Sequence, residues 1–116
     1  MNIYDHFAHE DEYPELNIEA MSERLAKALS FKTVYADADT TDWTQFDGLQ
    51  QHIVDSFPYV MTAASNVEVV GHSLLIEIPG SNHELPALML IAHQDVVPVV
   101  PGTEEAWTHD PFGGDV

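Results

Sequence analysis

The 116-residue sequence contains no cysteine. Neither a disulfide framework nor thiolate ligation of zinc is open to it, so any metal must be held by imidazole and carboxylate. A cysteine-free composition fits a reducing compartment, and the expected location is cytoplasmic. Cations are nearly as scarce: Arg24, Lys27 and Lys32 stand against twenty carboxylates, for a formal net charge of −17 at pH 7. Such a field repels polyphosphate chains and anionic lipid, so neither nucleic acid nor a membrane surface is expected as a partner. A solvated acidic surface accounts for the charge; a field that draws divalent cations or cationic substrates is the sharper reading. No apolar run is long enough to span a bilayer, and no secretory core can be drawn through residues 1–16. Internal repeats and low-complexity tracts are missing as well.

What is present reads as one α/β domain, large enough to bury a core but small for a sheet covered on both faces. Residues 1–16 form an acidic arm, and residues 17–116 form the folded part. Ile18, Met21, Leu25 and Leu29 fall on one helical stripe behind an Asn17 N-cap, which predicts a helix to about Phe31. Asp42 is placed to cap a second helix carrying Phe46, Leu49, Ile53 and Phe57, ended by Pro58. Trp43, Phe46 and Phe57 are expected in the core or at its edge. Three strands follow, at 67–70, 74–78 and 87–92. The loop 80–85 is short enough to join the second and third as an antiparallel hairpin. The third is apolar on both faces, as central strands are. The expected architecture is a partial mixed sheet flanked by helices.

The chemistry is concentrated where that third strand ends. His93 and Asp95, with one residue between them, lie on the same side of the strand at its carboxyl end, where open α/β sheets keep their sites. Neutral imidazole is a good zinc ligand and binds best when a carboxylate holds its ring. His93 is therefore the candidate metal ligand, and Asp95 the candidate that orients a neighbouring group or polarises a metal-bound water. A histidine at a strand end is, in general, more often a hydrogen-bonded structural residue. Pro98 and Pro101 remove ladder donors, so the backbone leaves the sheet soon after Asp95 and displays the pair at a mouth. Trp107 and Phe112 are expected to fold back over its edge. His109 reads as an exposed loop residue, His52 as partly exposed on the second helix, and His72 and His83 as turn residues.

The stretch Leu90-Ile91-Ala92-His93-Gln94-Asp95-Val96-Val97-Pro98, followed by Trp107 and Asp110-Pro111-Phe112-Gly113-Gly114, resembles the amino-terminal part of the family-20 zinc metallopeptidases. These include aminoacylases, dipeptidases and carboxypeptidases. Within them it is most similar to the Gly-X carboxypeptidase and N-fatty-acyl-amino-acid hydrolase branch, where an H-x-D-V-V-P motif accompanies a W-x-x-x-P-F-x-G loop. The resemblance implies the first portion of an α/β/α catalytic domain that cleaves amide bonds with two zinc ions, a bridging carboxylate and a glutamate base. It implies that His93 binds one zinc and that Asp95 orients and tunes a metal ligand from behind it. Peptides or N-acyl amino acids are the implied substrates.

No other residue matches a catalytic position of the family. Two metals bridged by a carboxylate cannot be held by one imidazole, because zinc takes at least three protein ligands in such sites. Two readings stand. The first is the front segment of a zinc-dependent amidohydrolase, inactive by itself; the second is a non-catalytic remnant that holds at most one weak metal ion. In both, unsatisfied strand edges predict a homo-oligomer.

Overall fold

The computed structural model describes residues 16–115. Residues 1–15 of the expected acidic arm lie outside the described residues. The first helix, α1 (Ile18–Leu29), starts where the Asn17 side chain accepts a hydrogen bond from the Ala20 backbone N–H at 2.9 Å. Glu19 in its first turn and Lys27 in its last complement the helix dipole. Its end comes at Ser30, whose hydroxyl donates to the Lys27 carbonyl at 2.7 Å and satisfies a terminal acceptor. The apolar stripe is regular, but Ile18, Leu25 and Leu29 all remain more than half exposed.

Helix α2 (Trp43–Ser56) is capped by Asp42, which accepts from the Thr44 backbone N–H at 3.2 Å. The hydrogen bond from the Thr44 hydroxyl holds the Asp42 carboxyl below its ordinary value of 3.8. A depressed carboxylate contributes its stabilisation above the unfolded pKa and loses it as pH falls through the folded one. The α2 cap is therefore expected to survive at pH 5 and to open only below about pH 4, followed by the Thr44 amide shift in an acid titration. Loss of the cap between pH 5 and 7 would contradict that assignment.

Pro58 ends α2 as expected and also begins a short helix, α3 (Pro58–Ala63), which the sequence reading did not include. Proline at the first helical position has no N–H to lose, so the residue that stops one helix starts the next. Phe57 sits at this junction and is 45% exposed, which places it at the edge and not in the core, and the Arg24 guanidinium lies 5.7 Å from its ring centroid. Helices α1 and α2 are tied by the His52 Nε2, 2.9 Å from the Arg24 carbonyl. A carbonyl only accepts, so this nitrogen carries the proton. His52 is partly exposed. The Phe31 ring lies against Gly48, where an added Cβ would stand 2.8 Å from Cε1.

Strands β1 (Asn66–Val70) and β2 (Ser73–Glu77) pair antiparallel, from Asn66 opposite Glu77 to Val70 opposite Ser73. Gly71, at φ +63, takes the positive-φ position of the two-residue turn, beside His72. Leu74 and Ile76 alternate half-buried with exposed neighbours. Helices and this sheet make a partial α/β domain.

The hairpin between the second and third expected strands does not form. Asn82 does nucleate a turn, accepting from the Glu84 N–H at 3.0 Å, and His83 lies in it. Residues 87–92, however, make no strand, and Leu88, Met89, Leu90 and Ile91 are 73–87% exposed. A segment apolar on both faces needs covering on both faces, and the described residues provide none. The second contribution to a sheet is instead a single parallel bridge between Val34 and Val96, with the Val96 N–H donating to the Thr33 carbonyl at 3.0 Å. Phe46, 5% exposed, is the one buried apolar side chain among the described residues; the buried polar residues are Thr33, Thr41 and Gln50.

Candidate metal-ligand site

His93 and Asp95 follow the unpaired segment and immediately precede the bridge at Val96. The His93 Nδ1 lies 2.9 Å from the Asp95 Oδ1. A carboxylate can only accept, so the proton is on Nδ1, and Nε2 carries the free lone pair. The His93 side chain is 93% exposed and that of Asp95 50%. The hydrogen bond from His93 is the main cause that holds the Asp95 carboxyl below its ordinary value. The same bond fixes the orientation of the ring.

Two concavities meet at this point. One, of about 350 Å³, is lined by Trp43, Phe46, His72 and the 92–95 loop. The other, of about 330 Å³, is mainly apolar and is shared by His93, Gln94, Leu29, Phe31, Trp107 and Phe112. Trp107 and Phe112 thus stand beside the candidate ligand, with Lys32 Nζ 5.5 Å from the Phe112 ring centroid. Trp43 itself is about half-buried and stacks on the His72 ring at 3.8 Å and 9°. Asp47 Oδ1 lies 3.5 Å from His72 Nδ1 without forming a hydrogen bond to it. His109 bonds Asp115 at 3.2 Å within its own loop and does not join the site.

The last glycine of the loop has a structural reason. Gly114 has φ +65, and a Cβ there would collide with the Ala26 carbonyl of α1. Only glycine lets the Trp107–Gly114 loop dock against α1 at this place.

One polar residue of the site carried no motif. Gln50, on α2 and 3% exposed, donates from Nε2 to the His72 carbonyl and, at 3.2 Å, to Gln94 Oε1. The sequence signal for it was a polar side chain set within the stripe of Phe46, Leu49 and Ile53. Whether these residues suit a zinc ion is decided by the donor set. Among the described residues no group of three histidines or carboxylates could hold a metal. At this mouth the described residues therefore supply one carboxylate-held imidazole, that of His93, which fits a single ligand and not a complete zinc site.

The chain is similar to several curated proteins. It is 35% identical over 89 residues to a probable carboxypeptidase S-like protein of Dictyostelium discoideum, covering 75% of this chain and 18% of that protein. It is 32% identical over 106 residues to the N-fatty-acyl-amino acid synthase/hydrolase PM20D1 of Xenopus tropicalis, covering 90% and 20%. With aminoacylase-1 of Sus scrofa it shares 48% identity over 50 residues, 41% of this chain and 12% of that one. No family model matches the chain, and no solved structure does. These relationships place the chain in the family-20 metallopeptidases. Within that family it is homologous to the carboxypeptidase S-like and PM20D1 proteins, and it spans about a fifth of their length.

Proposed function

We propose that this chain is the segment of a zinc-dependent amidohydrolase that presents the first metal-holding histidine, His93, and its carboxylate partner, Asp95. The substrates are peptides or N-acyl amino acids. The observation that carries the reading is the His93–Asp95 hydrogen bond, which fixes the ring and leaves Nε2 turned out at an exposed mouth. Relatives named carboxypeptidase, acyl-amino-acid hydrolase and aminoacylase support the amide substrate class. Zinc in such enzymes lowers the pKa of a bound water and polarises the scissile carbonyl. His93 and Asp95 would hold and orient one ion; with His93 the one residue of the 116 assigned as a ligand, the chain alone is catalytically inactive.

The test is to capture the cellular protein with an antibody raised against this chain and assay it on dipeptides and N-acyl amino acids. A protein longer than 116 residues is expected to hydrolyse them, to lose activity to a chelator and to regain it with zinc. A captured 116-residue protein is expected to give no turnover. A longer protein without amide hydrolysis, or with chelator-insensitive hydrolysis, would refute the proposal.

Self-association belongs to the same proposal, because Leu88 to Ile91 leave an apolar segment uncovered. Chains carrying −17 charges repel each other, so association is expected to strengthen as salt screens them. Sedimentation should show a species above monomer that grows between low and about 0.5 M salt. A clean monomer at high concentration and high salt would refute it.

A further inference from the structure

We infer that Gln50 is a positioning residue for the His93–Asp95 pair, acting through Gln94; this rests on the reading of that pair as the site. The 93–95 loop has few other holds. No backbone hydrogen bond from residues 86–95 reaches another element among the described residues, and the first such tie is the Val96 N–H to Thr33. Ahead of Asp95, the link to the folded part is the hydrogen bond from Gln50 Nε2 to Gln94 Oε1 at 3.2 Å.

Gln50 is suited to the task because it is itself fixed. It is 3% exposed, stands on the capped helix α2 and also donates to the His72 carbonyl in the β1–β2 turn. The acceptor at His72 is a carbonyl, so the side-chain nitrogen must face it, which fixes the amide's orientation. The same nitrogen then meets Gln94 Oε1. Held at residue 94 by α2 and at residue 96 by Thr33, the backbone has little freedom to rotate between those points. That restriction keeps the two flanking side chains, His93 and Asp95, turned towards each other. Both are otherwise exposed, and no other side chain hydrogen-bonds either of them among the described residues.

The test compares the full chain with Gln50→Leu, which keeps the buried volume without the amide, and Gln94→Ala, which removes the anchored side chain and leaves Gln50 bound to His72. The readout is the tautomer of the neutral His93 ring from its nitrogen NMR shifts at pH 8.5. In the parent the proton sits on Nδ1, against Asp95. In each variant the Nδ1–H to Nε2–H ratio is expected to fall about fivefold, the factor an ordinary hydrogen bond supplies. The His52 ring shifts and the helical circular dichroism serve as controls. A purely structural role would lower stability and leave the His93 tautomer unchanged, and that result overturns the inference. If Gln50→Leu fails to fold, an unchanged tautomer in Gln94→Ala overturns it alone. The measurement involves no metal, so a failed zinc or hydrolase assay would refute the functional reading without touching this one.

Discussion

Replacing Phe46 with alanine is expected to unfold the chain at 25 °C. Its ring is the one buried apolar side chain among the described residues and packs at 5.1 Å on the Trp43 ring. Truncating a buried phenylalanine costs about 3–5 kcal/mol, from lost transfer energy and the cavity left behind. Whole domains are stable by only about 5–15 kcal/mol. With α1 half exposed and residues 87–92 uncovered, the described residues offer no second core to compensate. Helical circular dichroism and a urea titration of Phe46→Ala measure the effect. A variant with the parent's midpoint would show that the core lies elsewhere.

The second large effect is expected on metal affinity. His93 offers a free Nε2 with a carboxylate behind it, at the mouth shared by the two concavities, whereas His109 is held by Asp115 within its own loop; zinc binding by the chain should be weak and His93→Ala should abolish it. Asp95→Asn keeps the shape but replaces the charged acceptor with an amide, and loss of such a partner typically weakens a metal site by about 10–100-fold. Titration calorimetry of the parent and both variants separates the roles. Tight binding that survives His93→Ala would remove His93 from the site.

The parts of this protein that could be read from sequence are those whose signals are local. Helices α1 and α2 were legible because Asn17 and Asp42 cap them and their apolar residues repeat every three or four positions. His93 and Asp95 were legible because the pair is two residues apart, and the structure joins them by one hydrogen bond. Strand pairing was less legible, because two turns compete for the same strand. The segment 74–78 was assigned to a hairpin with 87–92, whereas Gly71 and His72 form the tighter turn and pair it with 66–70. The apolar run 87–92 has strand composition, but pairing is a property of neighbours, and the described residues supply none. Gln50 carries little legible signal: it lies in a helical stripe whose apolar members dominate the pattern, and its partners are 22 and 44 residues away. Periodicity gives a face, not a depth, so the expectation for Phe57 spans core and core edge, and the structure places it at the exposed end of that range.

The most direct test of the central claim is to follow the ring nitrogens of the seven histidines by NMR while zinc is added to the intact chain. The account predicts that His93 Nε2 shifts first, with Nδ1 keeping its proton against Asp95, and that the change is absent in His93→Ala. Zinc that perturbs other histidines while the His93 ring stays unchanged would contradict it.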